Sequence, residues 1–134
     1  MQESHVVTCF LENDGQVLIL KRSNKVGTYQ QRWAGVSGFI EPGVSAVEQA
    51  RQEIHEEVGL GSDEVTLLKE GEVLQIVDNK LDRKWFVHPF RFNIKNKDKI
   101  VLDWENTEYL WVHPDQIPSH QTVPGLYAAW EKVK

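Results

Sequence analysis

The chain has one cysteine, one methionine and no long apolar run. With no second thiol there is no internal disulfide, and Cys9, set in the apolar stretch VVTCFL, is expected to be a buried, unreactive thiol. No segment approaches the ~20 consecutive apolar residues that a membrane-spanning helix requires. The opening residues MQESHVV lack the basic flank and apolar core of a secretory signal. Together these absences lead us to expect a cytoplasmic protein that does not meet membranes. Positive charge is also in short supply, since 15 Lys and Arg stand against 20 Asp and Glu for a formal charge of -5. A protein that coats nucleic acid needs a net basic surface, so that class is disfavoured. No Gly- or Pro-rich linker, repeat or low-complexity tract breaks the chain, and a single domain over residues 1–134 is expected.

Basic residues do concentrate locally. Lys80, Arg83, Lys84, Arg91, Lys95, Lys97 and Lys99 share one stretch with only Asp82 and Asp98. A solvated hairpin face is the expected explanation, ahead of a phosphate-binding patch.

Most of the chain alternates with the period of a strand. Residues 5–11 (HVVTCFL) and 16–22 (QVLILKR) flank the turn signal NDG and should form a hairpin. A third extended piece is expected over 33–41 (WAGVSGFIE), and further strands near 64–70, 72–78, 84–94 and 108–114. Pro89 hints that the 84–94 strand lies at an edge or a bulge. One helix is expected in mid-chain and one at the end, in GLYAAWEKVK. Strands outnumber helices and do not alternate with them, which is the pattern of an α+β fold.

The mid-chain helix is the best-defined element. Ser45 followed by Glu48 is a capping-box pattern that starts it near Ala46, and Val58-Gly59-Leu60 ends it. Val47, Ala50, Ile54 and Val58 form an apolar stripe that must face the sheet. At about 100° per residue, Glu53, Glu56 and Glu57 fall together roughly 120° from that stripe, on the expected solvent side. Like charges three and four residues apart destabilise a helix by a few tenths of a kcal/mol per pair, and two of these lie in the last turn, where the helix dipole disfavours anions. A hard divalent cation would relieve that repulsion by taking the carboxylate oxygens as ligands.

The stretch GFIEPGVSAVEQARQEIHEEVGL resembles the signature box of the Nudix hydrolases, G-x5-E-x7-R-E-U-x-E-E-x-G-U with U a bulky aliphatic residue. Gly38, Glu53, Ile54, Glu56, Glu57, Gly59 and Leu60 fill seven of its nine specified positions, while Val44 stands in place of its first glutamate and Gln52 in place of its arginine. LILKRS, the run WAGVSGFIEPG and the late EYLWVHPDQIP are similar to other parts of the family's chain. The resemblance implies a mixed β-sheet sandwiched between helices, and hydrolysis of a diphosphate linkage in a nucleoside diphosphate joined to another group, with Mg²⁺ or Mn²⁺. It implies Glu53, Glu56 and Glu57 as metal ligands, with Glu53 or Glu57 as catalytic base and the Gly38 carbonyl as a further ligand. It also points to Arg22 and Glu105 as substrate-binding residues. Gln75 and Ile76 occupy the place where members specific for ADP-ribose or dinucleoside polyphosphates carry Pro or Tyr, and Ser37 precedes Gly38 where the dinucleoside tetraphosphate enzymes have lysine. By elimination the expected substrate is a nucleoside triphosphate, and a homodimer is admitted. Because the box lacks its Glu-Arg pair, the alternative is a weakened domain that binds a nucleotide or protein partner. His5, His55, His88, His113 and His120 show no ligand spacing, so no zinc site is expected.

Overall fold

The computed structural model describes residues 1–134. Its strands are β1 (Gln2–Asn13), β2 (Gln16–Arg22), β3 (Trp33–Ala34), β4 (Val36–Phe39), β5 (Val65–Glu70), β6 (Leu74–Asp78), β7 (Arg83–Ile94) and β8 (Asn106–Val112). Helix α1 spans Ala46–Val58 and α2 spans Leu126–Glu131, with short 3-10 turns at Lys97–Lys99 and Pro114–Ser119. All eight strands join one mixed sheet. At its centre β1 runs parallel to β7, with Val6 opposite Val87 and Cys9 opposite Phe90. The remaining pairings are antiparallel.

Alternation along the strands delivers side chains to both faces of this sheet. Val7, Cys9 and Leu11 of β1, Leu18 and Leu20 of β2, and Phe90, Phe92 and Ile94 of β7 pack with Ala50, Ile54 and Val58 of α1. The opposite face sends Phe10, Val17, Ile19, Trp85 and Val87 against Ile117 and against Leu126, Ala129 and Trp130 of α2. The sheet is therefore sandwiched between helices, as the resemblance implied. No helix is long and apolar enough to cross a membrane.

The β1–β2 hairpin turns on Asp14 and Gly15, at φ 52° and 79°, the pair of left-handed residues that a two-residue turn of matching twist demands. Two expectations change in detail. The extended piece 33–41 is two short strands, because the chain passes between partners at Gly35: β3 pairs with β2 and β4 with β1. The strand containing Pro89 is central. Proline is tolerated there because β6 pairs with Arg83–Val87 and β5 with 90–94, so Pro89 falls in the gap between them, its carbonyl accepting from the Gly71 amide at 2.9 Å. The basic stretch is dispersed: Arg91 bonds Glu12 at 2.8 Å, Lys99 meets Glu64 at 3.3 Å, and Arg83 covers the Trp85 ring.

Cys9 is fully buried, and its thiol is pushed well above the ordinary range, chiefly by burial and then by the Glu57 and Glu53 charges. The burial is as expected, and it disfavours the thiolate, the reactive form.

Candidate active site

Helix α1 is capped as its sequence requires. The Ser45 hydroxyl accepts from the Glu48 amide at 3.2 Å, and Gly59, at φ 76°, ends the helix with its amide bonded to the His55 carbonyl. The buried face of α1 is wider than the apolar stripe alone. Beside Ala50, Ile54 and Val58 runs a second buried row, Gln49, Glu53 and Glu57, four residues apart. Glu57 is only 2% exposed and Glu53 8%, which corrects the expectation that both lie on the solvent side. Glu56 alone of the three is exposed.

The second row is buried because β4 meets it at Gly38, where no side chain keeps Glu53 away from the strand. A β-carbon added to Gly38 would run into the Glu53 carboxyl group. Next to it, the Ser37 amide donates to Glu57 Oε2 at 3.2 Å. Asn106, at the start of β8, donates its Nδ2 to Glu57 Oε1 at 3.1 Å. Gln49 donates its Nε2 to Glu53 Oε1 at 3.0 Å and accepts the Glu41 amide at 3.1 Å. Thus neutral donors, and no basic side chain, hold the two carboxylates.

Uncompensated burial leaves an electrostatic signature. The Glu53 carboxyl is pushed up to about 7, chiefly by burial, with the Glu56 and Glu105 charges adding to the shift and the Gln49 hydrogen bond opposing it. Burial also raises Glu57 well above the carboxylate range, assisted by Glu105 and Glu53 and opposed by Asn106. A carboxyl whose folded value is raised binds its proton more tightly in the fold than in the unfolded chain. Its contribution to stability is complete below the ordinary 4.5 and is lost as pH rises through about 7. The metal-free protein should therefore melt at progressively lower temperature between about pH 5 and about pH 8, a decline that thermal scans in a buffer series measure and that Glu57→Gln should flatten. A rising or level profile would show that the pair is not charged at the expense of the fold.

Glu53, Glu56, the Gly38 backbone, Arg22 and Glu105 all line one cavity of about 400 Å³. Five of the six residues selected from sequence are brought together there. Glu57, the sixth, lies behind Glu53 rather than in the cavity lining. Arg22 donates from Nε and Nη2 to the Thr28 carbonyl at 3.0 and 2.9 Å, leaving Nη1 without a protein partner. It belongs to the cavity and makes no surface ion pair. Glu105 is half-buried and raised by burial and by Asp103, while its carbonyl accepts from Ser23 at 2.8 Å and so ties its loop to the end of β2.

Hard oxygen donors crowded at one wall suit a divalent cation such as magnesium. In the arrangement described, no three carboxylate, imidazole or thiol groups converge into a ready ligand set. Gln49, Asn106 and the Ser37 amide hold carboxylate oxygens that an ion would compete for.

Sequence reasoning missed Gln49 and Asn106. Gln49 could have been found, because an amide four residues before a glutamate meets it on the same helical face. Asn106 carried no local signal: it reaches Glu57 across 49 residues of chain.

The family model described as the NUDIX domain matches residues 1–130. Over 52 residues the chain is 44% identical to the ADP compounds hydrolase NudE of Escherichia coli (strain K12), a stretch covering 39% of this chain and 28% of that protein. Over 59 residues it is 37% identical to the nucleoside triphosphatase NudI of Klebsiella pneumoniae, covering 44% of this chain and 41% of the relative. The matched stretches thus span less than half the length of these curated relatives. Among solved structures, the MutT protein from Methanosarcina mazei Go1 superposes with a TM-score of 0.82 at 21% identity, over 98% of this chain and 93% of that one. A C. elegans Ap4A hydrolase gives 0.76 at 16% identity, over 98% and 94%. At such identities these two likenesses speak to the fold alone.

Proposed function

Since the chain belongs to the NUDIX family, we propose that it hydrolyses the diphosphate linkage of a nucleoside diphosphate derivative, with a nucleoside triphosphate as the preferred substrate and Mg²⁺ or Mn²⁺ as the cofactor. The observation that carries this proposal is the single cavity in which Glu53, Glu56, Gly38 and Glu105 meet Arg22. Carboxylates suited to a cation and a guanidinium suited to a phosphate oxygen face the same space. Matched stretches in a hydrolase of ADP compounds and in a nucleoside triphosphatase support a nucleotide over other diphosphates. So do Phe39 and Trp104, 57% and 59% exposed, which add two open aromatic faces to the cavity. A base stacked on such a face gains about 1–3 kcal/mol.

The residues take distinct parts in this scheme. A bound divalent ion would supply positive charge to phosphate oxygens and acidify a nearby water. Glu53 and Glu56, with the Gly38 carbonyl, would hold that ion. Of the two candidate bases, Glu53 lines the cavity, whereas Glu57 keeps one oxygen on the Ser37 amide and the other on Asn106. Glu53 is therefore assigned to accept the proton of the attacking water, and Glu57, anchored at both oxygens, to buttress it from behind. Arg22, still charged despite burial, would present Nη1 to the phosphate chain and orient it. Glu105 borders the same space from its loop.

The test is a screen for nucleoside monophosphate and pyrophosphate products over nucleoside triphosphates, nucleotide sugars and dinucleotides, with and without Mg²⁺. Metal-dependent cleavage of a triphosphate is the expected result. Binding without cleavage would instead support the weakened, ligand-binding alternative that Val44 and Gln52 suggest. A second measurement needs no substrate. Saturating Mg²⁺ or Mn²⁺ should raise the melting temperature, because a ligand that binds only the fold stabilises it by an amount that grows as the logarithm of one plus its concentration over Kd. No shift with either ion, nucleotide present or absent, would count against the site.

A further inference from the structure

Glu53 is held by one neutral side chain, and that side chain also holds the loop. Gln49 is 1% exposed, yet both ends of its amide are used: the oxygen accepts the Glu41 amide at 3.1 Å and the nitrogen donates to Glu53 at 3.0 Å. Glu41 belongs to the loop between β4 and α1, which turns through the Val44 amide bonded to the Glu41 carbonyl at 3.1 Å and through Gly43 at φ 81°. Gln49 is thus a strut between this loop and the carboxylate that packs on Gly38. The position immediately before Glu53 does not share the task. Gln52 is exposed, and its amide goes to Glu56 Oε1 at 3.1 Å. Arg51 turns the other way, with its guanidinium over the Phe92 ring.

We propose that Gln49 is the positioning residue of this site: it fixes the rotamer of Glu53 toward the cavity and registers the 40–45 loop to it, without touching ion or substrate. This rests on the function proposed above. Its physical basis is that a long carboxylate side chain with no partner populates several rotamers, and fixing them beforehand removes that cost from ion binding. An uncharged strut does this without neutralising Glu53, so the negative charge remains for the ion. The Gln49 amide is buried with one bond at each of its polar atoms, which makes its substitution a local loss of two hydrogen bonds.

Gln49→Met keeps the length and most of the volume while removing both bonds, and Gln49→Asn keeps the amide but withdraws it by one methylene. Ile54→Val, on the neighbouring buried row, serves as the comparison for general softening of the helix. The measurements are Mn²⁺ affinity by titration calorimetry in the absence of nucleotide, metal-free melting temperature, and kcat and KM on the triphosphate that the native protein cleaves best. Both Gln49 variants should weaken Mn²⁺ binding and lower kcat by about tenfold or more with KM within about threefold, whereas Ile54→Val should lower the melting temperature and leave Mn²⁺ affinity unchanged. In a Glu53→Gln background, Gln49→Met should add no further loss of kcat, since the two act as one unit. If Gln49→Met does not fold, Gln49→Asn carries the same comparison. Mn²⁺ affinity unchanged in a folded Gln49 variant, or losses that add fully to those of Glu53→Gln, would overturn the inference while the proposed hydrolysis stands. A native protein that neither binds Mn²⁺ nor cleaves any triphosphate would overturn both.

Discussion

Glu53→Gln should lower kcat by about a hundredfold or more, the span typical of losing a positioned general base. The substitution preserves shape, and the new amide oxygen still accepts from Gln49, so the fold and the strut should survive. What disappears is the ability to take a proton and the charge offered to the ion. Steady-state kinetics on the best triphosphate, alongside Mn²⁺ titration, read these two losses separately. Glu48→Gln is the contrast on the same helix: its carboxylate accepts from the Ser45 hydroxyl at 2.8 Å at the cap, away from the cavity, and turnover should be near native. Glu57→Gln should fall between them. The substitution takes away a titratable group beside Glu53 and leaves the Ser37 amide and Asn106 sharing a single acceptor, so part of the effect will appear in stability. Equal turnover in the Glu53 and Glu48 variants would sink the assignment of Glu53.

Gly38→Ala is the second large effect, and it separates packing from ligation because alanine keeps the backbone carbonyl. The new β-carbon collides with the Glu53 carboxyl, which is the mobile end of a long side chain. The fold can yield cheaply by swinging that group aside. Stability should change little, while displacing a catalytic group by about 1 Å can cost about a hundredfold in rate. Gly35→Ala behaves in the opposite way. Its β-carbon meets the Cys9 backbone carbonyl at 2.8 Å, in the sheet interior, where nothing flexible can give way. It should lower the melting temperature well before it alters kcat per folded molecule. Native turnover in a stable Gly38→Ala protein would mean that Glu53 need not sit where the glycine places it.

Elements governed by local chemistry were legible before the structure. The Asp14-Gly15 turn, the Ser45 cap and the Gly59 stop depend on residues within a few positions of one another, and each stands where the spacing puts it. Strand periodicity located every long strand, with boundaries moving by a few residues. Pro89 misled because proline restricts a strand only where its nitrogen faces a partner, and two partners stop on either side of it.

The sequence by itself determined that three glutamates occur on one helix at spacings that repel, and hence that something must reward their being together. It also determined the family pattern, including its departures at Val44 and Gln52. Which glutamates are buried was decided by tertiary structure. Helical angle sets the three glutamates apart from the apolar stripe but cannot say how wide the buried face is, and Glu53 and Glu57 fall within it. That width depends on β4 approaching α1 through Gly38, and on Asn106 arriving from 49 residues further along the chain to satisfy Glu57. A carboxylate's charge is written in its residue type. Its desolvation, its partners and its proton affinity belong to the atoms that folding packs around it.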